Sequence, residues 1–529
     1  MKKIIIVLVL LLCTVFGLSI FKFGIKDSIK INAMAMLCAV ENRVPNNDIP
    51  TGIPVYHITI THENWEALTA DLPASGRKKQ KILFEHNGET YKAKLRTRGH
   101  LKLHWGGPKK SLRVYFDKDD SPFGTISEMN FLNPKTFQFT NDHIGTWVGK
   151  ITGAKTLKNE MVFLRINGQN YGLMEMIEQP GRSYAINNNL GNEKITLYKG
   201  DYIRDDSGHS KSVRVWKNAE YWNGKKASKA ASSKLTSLIQ VLNSDTLQLE
   251  DRFSLIEKHV IIEEYLKYYA ALTVINTEHI DQTHNQVIVF DRNQKKYYPV
   301  LWDPTFMWAH SPERYYNFYD PLSYYILQNP IWREKRDIYI HKFIVDWYDS
   351  GKFMAYHKTL EDSLYKAVKL DHNKCNPIGA DLNTVYRFSN IIYGHSNNKI
   401  RAMADDYYTA LKVKMDKVNI DQVVISDSSI NMTYNTYSPI ELKIHCETPI
   451  SDSSISLTRS VGQLVETDGE LITIKLFGQI EHEDGPEGDL YKLFSGFVSQ
   501  QKTVNIDFKT KINKVEAYNA ITGRVLKFQ

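Results

Sequence analysis

The stretch Thr277-Glu278-His279-Ile280-Asp281-Gln282-Thr283-His284-Asn285, with Leu301-Trp302-Asp303 shortly after it, is the most informative part of this 529-residue chain. Residues 286–290 alternate in character, Asp291-Arg292-Asn293 are turn formers, and residues 296–302 return, which predicts a β-hairpin between the two stretches. Apolar residues at helical spacing over residues 253–275 predict one long, buried helix in front of them. The chain therefore places an acid, an amide four residues later, a hairpin and a second acid behind a helix.

The residue types in this arrangement are those that phosphoryl transfer requires. One carboxylate receives a hydroxyl proton, while an amide and a second carboxylate hold Mg²⁺ against ATP. The protein-kinase pattern is Asp-x-x-x-x-Asn followed by a metal-binding Asp, whereas Asn285 follows Asp281 one residue early. The alternative interpretation is structural, because Asp281 could cap its loop and Asn285 could satisfy a turn. The hairpin and Asp303 favour the functional interpretation.

The composition predicts a folded protein of two or three domains, with 42% hydrophobic and 24% charged residues. The net charge of +8 is modest for this length and favours acidic partners, anionic headgroups or nucleotides. The sequence has no nucleic-acid-binding signature, so we expect no nucleic-acid partner. The Gly-x-Ser-x-Gly and His-Glu-x-x-His motifs are missing, which argues against the serine hydrolases and zinc proteases. The four cysteines include no Cys-x-x-Cys pair and indicate neither a zinc site nor a disulfide framework.

The run from Ile4 to Phe21 is apolar and uncharged, and it follows Lys2 and Lys3. Its length is at the short end for a membrane-spanning helix, and no small-x-small cleavage site follows it directly. We therefore expect residues 1–30 to be an uncleaved signal anchor rather than a removed signal peptide. Most of the chain would then be membrane-anchored and extracytoplasmic, or secreted if the segment is cleaved. The charges that flank the run are nearly balanced and do not decide the topology.

Strands dominate the predicted structure up to residue 180, and helices dominate after it. Strands are expected at residues 55–60, 81–85, 91–96, 111–116, 161–166 and 171–177, with hairpin turns at His86-Asn87-Gly88 and Asn167-Gly168. Residues 204–234 are polar and basic and predict an exposed insertion. Residues 330–418 have a helical pattern. Residues 425–529 predict a β-sandwich domain, with short β-rich runs at 431–437, 440–445, 471–476, 503–508 and 515–518.

Four motifs, in this order, resemble those of the CotH kinase family of spore-coat proteins. They are Ile53-Pro54-Val55 through Trp65; Arg96-Thr97-Arg98-Gly99-His100 through Lys109-Lys110-Ser111-Leu112-Arg113; Phe163-Leu164-Arg165-Ile166-Asn167-Gly168 through Glu178-Gln179; and Asp281 through Asn285 to Trp302-Asp303. The resemblance implies an α+β fold, with a divergent, two-lobed protein-kinase-like domain over residues 50–420 whose lobes meet near residues 180–181. It also implies ATP and Mg²⁺ as cofactors, and phosphorylation of Ser or Thr in a protein of the secretory route or the envelope.

By position in the family's motifs, Asp281 would be the catalytic acid-base residue, and Asn285 and Asp303 would hold the metal. The resemblance also implies a set of residues that contact the nucleotide: Arg98, Lys109, Lys110, Arg113, Glu178 and Trp302. Arg113 would lie on the strand that bears the phosphate-binding cation, and Glu178 behind the adenine. Family members commonly carry a second acid two residues after the Trp-Asp acid. Pro304-Thr305 stand there instead, which would weaken the metal site.

A second class of function stays open from the sequence. The same fold could serve as a non-catalytic scaffold for envelope or surface-polymer assembly. Structural alternatives also exist for single residues: Arg98 as an ion-pair partner, Glu178 as a hydrogen-bonded acid, and Trp302 as a core residue. Nucleotide binding and phosphate transfer would discriminate between the two classes.

Overall fold

The computed structural model describes residues 47–99, 104–117, 120–134, 140–181, 183–184, 196–201, 203–204, 210–225, 229–277, 279–305, 307–308, 319–374, 390–450, 455–457, 464–481 and 498–528. Helices and strands are mixed in these residues, as predicted. The chain divides into a first unit, Met1–Ile144, Leu157–Asn189 and Met354–Arg401, and a second unit, Gly145–Thr156, Leu190–Phe353 and Ala402–Gln529. The predicted anchor lies outside the described residues, and none of the helices described is both long and apolar enough to cross a membrane.

Strands and helices follow the chain in this order. The strands are β1 (Val55–Thr59), β2 (Gln80–His86), β3 (Glu89–Thr97), β4 (Leu112–Phe116), β5 (Glu128–Leu132), β6 (Asn159–Ile166), β7 (Gln169–Glu178), β8 (Thr196–Gly200), β9 (Ile203–Arg204), β10 (Ser210–Lys211), β11 (Trp222–Lys225), β12 (Gln286–Asp291), β13 (Lys296–Pro299), β14 (Val418–Ile425), β15 (Ser429–Thr436), β16 (Ile440–Cys446), β17 (Ile455–Leu457), β18 (Leu464–Asp468), β19 (Leu471–Leu476), β20 (Gln479–Glu481), β21 (Val498–Gln500), β22 (Lys502–Phe508), β23 (Ile512–Asn519) and β24 (Val525–Leu526). The α-helices are α1 (His62–Thr69), α2 (Asn141–Thr152), α3 (Lys229–Leu242), α4 (Leu249–His259), α5 (Ile262–Ile275), α6 (Pro321–Gln328), α7 (Pro330–Phe343), α8 (Lys352–Leu370) and α9 (Asn390–Asp416).

Two Asn-Gly turns shape the first unit. Asn87 and Gly88 have φ angles of 52° and 82°, and Asn167 and Gly168 have φ angles of 50° and 76°. Two-residue hairpin turns require this left-handed conformation. Each turn joins neighbouring strands of a closed barrel whose order is β1-β2-β3-β4-β5-β7-β6. Parallel pairing of β6 with β1 closes the barrel.

Side chains of the barrel strands alternate between the core and the outer face, as strand geometry requires. On β4, Leu112 and Val114 are buried, whereas Arg113 and Tyr115 face outward. The C-terminal half of α8 covers β6 and β7 from outside through a small apolar cluster, formed by Met161, Phe163 and Leu173 with Leu364, Ala367 and Val368. This packing brings the residue that follows α8, Asp371, to the backbone of Leu173.

The second unit contains a four-stranded sheet in the order β11-β8-β12-β13. Strands β12 and β13 form the predicted hairpin, with Val289 opposite Tyr298. Beyond β13 the chain stays fixed, because the Leu301 amide donates to the Lys155 carbonyl at 2.8 Å and Leu301 bridges Thr156. The contacts with Lys155 and Thr156 therefore hold Leu301, two residues before Asp303.

The prediction of one long helix over residues 253–275 was wrong. Helices α4 and α5 occupy this stretch and are separated at Val260, whose φ of −125° and ψ of 155° are extended. Val260 forms a parallel bridge with Tyr297, and the Ile261 amide donates to the Tyr297 carbonyl at 2.8 Å. The helix is thus interrupted at the β-branched residues Val260 and Ile261, where the chain pairs with β13. The spacing of apolar residues alone does not show this interruption.

The prediction of an exposed insertion over residues 204–234 was also wrong in its middle and end. Trp216 and Trp222 are buried and pack edge to face with ring centroids 4.8 Å apart. Strand β11 joins the sheet, and Ala231 in α3 is fully buried. Burial of two large aromatic side chains stabilises the fold enough to hold this segment against the sheet, although the surrounding sequence is polar and basic.

Residues from β14 onward form two main antiparallel sheets, β14-β15-β22-β17 and β18-β19-β16-β23-β24. Both contribute to one core that includes Met432, Tyr434, Leu442, Ile474 and Ile506. The five β-rich runs predicted here overlap β15, β16, β19, β22 and β23. Local alternation of apolar and polar residues therefore located these strands correctly.

Candidate functional site

The end of α5 begins the loop that carries the candidate acids. The helix stops at Asn276, which adopts the left-handed conformation with φ 49° and ψ 50°. The hydroxyl of the next residue, Thr277, donates to the carbonyl of Thr305 and accepts from the amide of His279. One buried side chain therefore ties the loop of Asp281 to the segment that follows Asp303.

The carboxylate of Asp281 is held by its own loop. Its Oδ1 accepts hydrogen bonds from the Thr283 amide at 2.6 Å, the Thr283 hydroxyl at 2.7 Å and the His284 amide at 3.1 Å. Its Oδ2 lies 3.0 Å from Nδ1 of His284. Burial alone would raise the pKa of Asp281, but these hydrogen bonds outweigh it and lower the pKa below its usual value. Asp281 is therefore ionised at neutral pH and fixed in orientation.

Asn285 and Asp303 meet at the ring of His279. The Nδ2 of Asn285 donates to the His279 carbonyl at 2.8 Å and lies 3.1 Å from its Nδ1. The Nδ1 of His279 is 2.9 Å from the Asp303 carbonyl and 3.7 Å from its Oδ2. Because Nδ2 is committed to the backbone, the side-chain oxygen of Asn285 is left for other acceptor roles. The structure thus brings together the two residues that the sequence predicts as metal ligands.

Both predicted metal ligands adopt an uncommon backbone conformation. The φ angle is 59° at Asn285 and 56° at Asp303. Residues other than glycine rarely adopt positive φ, and Asn and Asp do so more readily than most because their short side chains bond locally. Strained backbone of this kind concentrates at functional sites. Here it turns an amide and a carboxylate toward the same histidine.

Buried residues that the sequence did not single out support this loop. Gln286, at the start of β12, donates to the Asp281 carbonyl at 3.0 Å and to Oδ2 of Asp320 at 3.2 Å. Asp320 caps α6 and also accepts from the Tyr269 hydroxyl at 2.8 Å. Burial raises the pKa of Asp320 even though these hydrogen bonds favour its charged form. The Asp320-Pro321 pair is a helix-start signal that could have located this residue.

His279 and His284 are the other side chains that the sequence interpretation left out of the site. Their rings pack edge to face, with centroids 5.2 Å apart. Each orients one acidic loop, His284 through Asp281 and His279 through Asp303. Their positions on either side of Asp281 in the sequence could have placed them in the site, but their spacing matches no known metal-ligand pattern.

The donor set suits a magnesium ion that keeps several of its waters. Mg²⁺ prefers oxygen ligands and is commonly bound through one or two carboxylates together with phosphate oxygens. Asp303 offers a carboxylate and Asn285 an amide oxygen. The described residues contain no group of three or more His, Cys, Asp or Glu side chains that could hold a metal ion by themselves. The residues fit an ion that is held jointly with a phosphate ligand.

Trp302 is buried, and the ammonium of Lys199 lies 5.8 Å from its ring centroid. Lys199 in turn pairs with Asp201, with Nζ to Oδ2 at 2.6 Å. The predicted contact of Trp302 with a nucleotide stays a prediction. Its position next to Asp303 gives the acid a rigid neighbour in the core.

In the first unit, Lys109 is committed to an internal ion pair. Its ammonium donates to the Leu173 carbonyl at 2.9 Å and pairs with the carboxylate of Asp371. Both side chains are almost fully buried, with 2% and 1% of their surface exposed. Asp371 also accepts from the amides of Leu173 and Asn373, each at 2.9 Å. Nucleotide binding by Lys109 stays a prediction, whereas its structural role is evident.

Lys110 and Arg98 lie on the same connection between β3 and β4. The Lys110 ammonium donates to the Gly107 carbonyl at 2.9 Å, and burial lowers the pKa of Lys110. Arg98 precedes Gly99, whose φ is 101°. A Cβ atom at Gly99 would lie 2.1 Å from the ring of His104. Only glycine at position 99 leaves room for the His104 side chain. Nucleotide contacts at Arg98 and Lys110 stay predictions.

Arg113 lies on the outer face of the barrel, whereas Glu178 lies on the same face of β7 as the core residues Met174 and Met176. The Nε of Arg113 donates to Asn130 at 2.7 Å, its Nη1 lies 3.7 Å from Glu128, and burial lowers the pKa of Arg113. Glu178, at the end of β7, is buried, and that burial raises its pKa to about 7. Hydrogen bonds from the Lys158 amide and the Ser183 hydroxyl oppose the shift. Both remain predicted nucleotide ligands.

Comparison with known proteins gives one informative match. The model of the family described as CotH kinase protein matches residues 95–344. The resemblance to the CotH kinase family is confirmed. The matched CotH segment covers just under half of the chain and contains all nine residues predicted for the site. The motif that begins at Ile53 and the β-rich residues from β14 onward lie outside it.

The other comparisons add little to the CotH match. No curated protein matches the chain. Among solved structures, the crystal structure of the Helicobacter pylori proinflammatory kinase CtkA is similar at 12% identity and a TM-score of 0.23, over 63% of this chain and 92% of that one. A TM-score this low does not allow the fold or activity of that kinase to be transferred. The family match therefore carries the assignment of a kinase-like segment.

Proposed function

We propose that this chain is a CotH-like kinase that transfers phosphate from Mg·ATP to Ser or Thr hydroxyls of a secretory or envelope protein. The observation that carries the proposal is the convergence of Asp281, Asn285 and Asp303 on the neighbouring rings of His284 and His279. Phosphoryl transfer relies on positioning and on electrostatic stabilisation, and these three residues would supply both.

Asp281 would receive the proton of the acceptor hydroxyl. Its lowered pKa keeps it ionised, so the acceptor can donate a hydrogen bond to it at any pH near neutrality. Three hydrogen bonds fix Oδ1, which fixes the plane of the whole carboxylate. A base whose orientation is preset places the hydroxyl without further rearrangement.

Asn285 and Asp303 would hold Mg²⁺ through the amide oxygen and the carboxylate. When bound, the ion would neutralise charge on the phosphate oxygens of ATP. His279 would keep both ligands in place, because it contacts the side chain of one and the backbone of the other. The six nucleotide ligands predicted from the family, from Arg98 to Trp302, belong to the same proposal.

The place of action is also a proposal. Residues 4–21 would anchor the protein, with the remainder outside the cytoplasm or secreted after cleavage. The support is the length of the apolar run and the missing cleavage site. A reporter enzyme that is active only outside the cytoplasm, fused after Gln529, tests this topology. Activity of a cytoplasmic reporter at the same position would reverse it.

A non-catalytic scaffold with the same fold is the second candidate. Two observations favour it: the carboxylate of Asp281 is satisfied within its own loop, and Pro304-Thr305 replace the second acid of the family. Thr305 is buried and its carbonyl accepts from Thr277, so this segment serves to stabilise the loop. A scaffold of this kind would bind no nucleotide.

Phosphate transfer separates the two candidates. The full chain is incubated with radiolabelled ATP, Mg²⁺ and dephosphorylated casein, and label in both proteins is measured. We expect incorporation that falls by roughly a hundredfold or more in Asp281→Asn, in the range for loss of a general base. Asp291→Asn, at the half-buried end of β12 next to the hairpin turn, removes the same charge and should leave incorporation unchanged. Failure to bind nucleotide at all would favour the scaffold.

A further inference from the structure

The outer face of the barrel carries a groove of about 590 Å³ that the kinase proposal does not use. Strands β1 to β4 and the start of α1 line it, all within the first unit. This size lies within the usual range for sites that hold a ligand. We call it the basic groove and define it by six of its residues: Asn64, Lys81, Leu83, Lys92, Lys94 and Tyr115.

Cations face one another across the strands of the basic groove. Lys81 on β2 lies directly opposite Lys94 on β3, and in the next row Arg96 on β3 lies opposite Arg113 on β4. Like charges in directly opposite positions destabilise a sheet. Arg96 bonds the Tyr115 hydroxyl at 2.6 Å and Arg113 contacts Glu128, so this second pair is partly compensated.

The lysines of the groove have no such compensation. Lys81, Lys92 and Lys94 are exposed and make no ion pair with any residue of the chain that the structure describes. Asp117 is the acid that lines the groove, at its β4 end. Like charges placed in this way repel one another, and they concentrate positive potential in a concave site.

The groove also offers contacts other than charge. Leu83, 41% exposed, lies opposite Lys92 on its floor. The Tyr115 ring, opposite Lys94, has the Lys79 ammonium 3.5 Å from its centroid. Asn64, at the start of α1, donates to the Lys81 carbonyl at 3.2 Å and adds a polar wall. The groove therefore combines an apolar, an aromatic and an amide side chain, as surfaces that bind polypeptide do.

The spacing of the cations matches an extended chain. Lys92 and Lys94 are alternate residues of one strand, so their side chains leave the same face roughly 7 Å apart. Acidic side chains at alternate positions of an extended segment have the same separation. The barrel is closed and leaves no strand edge in this region, so recognition has to come from side chains rather than from an added strand.

We propose that the basic groove binds an acidic, extended segment of a partner polypeptide. Lys81, Lys92 and Lys94 pair with its acidic side chains, while Leu83 and Tyr115 contact the apolar parts between them. Bound anions relieve the repulsion between Lys81 and Lys94, which supplies part of the driving force. This role is independent of phosphate transfer and of the candidate site in the second unit.

The test uses a fluorescein-labelled dodecapeptide of alternating Glu and Thr, with the full chain in detergent and anisotropy as the readout. Lys81→Gln/Lys94→Gln should weaken binding by about tenfold or more, because two charge pairs are lost. Its melting temperature should stay the same or rise, because the repulsion is removed. Leu83→Ser should weaken binding by about threefold without a change of charge.

Lys509→Gln/Lys511→Gln is the matched control, because it removes two exposed lysines outside the groove. An equal loss in this control would assign binding to the net charge of the chain and overturn the proposal. Equal affinity for the peptide with Gln in place of Glu would do the same. Displacement of the peptide by Mg·ATP would also overturn the proposal, because the groove would then be a nucleotide site. Tighter binding of single-stranded DNA of equal length would overturn it as well. Binding that needs Lys81 and Lys94 and survives ATP supports it.

Discussion

In the first unit the ammonium of Lys109 meets the carboxylate of Asp371 inside the protein. In the second unit the carboxylates of Asp281 and Asp303 contact His284 and His279 at the edge of two strained loops. The sequence predicts a functional role for Lys109, Asp281 and Asp303 alike. Their surroundings differ, because the charge of Lys109 is neutralised in the core, whereas the two carboxylates lie beside histidine rings. The partner of a charged residue, more than its place in a motif, decides what the residue can do.

Breaking the first arrangement should have the largest effect. Asp371→Ala leaves the buried ammonium of Lys109 without its carboxylate and the amides of Leu173 and Asn373 without an acceptor. We expect the free energy of unfolding to fall by about 3–5 kcal/mol in urea denaturation.

The exposed pair of Lys358 and Asp362 provides the control for Asp371. Its side chains are 55% and 63% exposed, so Asp362→Ala should cost less than about 1 kcal/mol. Lys109→Met/Asp371→Leu, which removes both buried charges, should recover much of the loss. Equal effects of Asp371→Ala and Asp362→Ala would show that the buried pair is not a structural element.

Among the described residues, Glu178 is a buried acid without a buried ion pair like that of Lys109 and Asp371, and its protonation can be tested through the pH dependence of stability. Burial raises its pKa to about 7 from an ordinary 4.5, so between these values the folded state binds a proton that the unfolded state releases. Stability is then fully present below the lower value and is lost as pH rises through the upper one. Glu178→Gln should remove this dependence and be relatively more stable at alkaline pH, by up to about 3 kcal/mol.

Urea denaturation of wild type and Glu178→Gln on either side of neutrality measures this difference. The exposed Glu257→Gln serves as control and should follow the wild-type profile. If Glu178→Gln and wild type lost stability in parallel as pH rises, Glu178 would be ionised in the fold and paired like Asp371.

Asp303 should show the smallest effect on stability, because its backbone conformation suits the replacement. Its φ of 56° is readily adopted by Asn, and its carbonyl contacts with His279 and Thr305 do not involve the side chain. Asp303→Asn should change the free energy of unfolding by less than about 0.5 kcal/mol, whereas Asp303→Ala should cost about 1–2 kcal/mol. Equal losses in the two variants would make the carboxylate structural, as in the first unit.

Local sequence predicted a large share of the fold. The turns at Asn87 and Asn167 need positive φ, and strand alternation on β4 places Leu112 inside and Arg113 outside. These features depend on neighbouring residues alone. The acid-amide spacing around Asp281 and the hairpin after it also located the candidate loop, because one continuous stretch of chain forms it.

Features that depend on contacts between residues far apart in the chain could not be predicted from the sequence. Lys109 and Asp371 are 262 positions apart in the chain, so no motif links them. The break between α4 and α5 results from pairing of Val260 with Tyr297, and the roles of His279 and His284 depend on how their loop folds. Tertiary contact overrides local pattern in each case.

In the proposed mechanism, Asn285 and Asp303 hold Mg²⁺ with ATP, and Asp281 acts only in the chemical step. Isothermal titration of Mg·ATP into the full chain and into its Asp303→Asn, Asp281→Asn and Asp291→Asn variants tests it most directly. We expect Asp303→Asn to weaken binding by about tenfold or more, and the other two variants to bind as wild type does. Wild-type affinity in Asp303→Asn would show that the Asp303 carboxylate does not hold the ion.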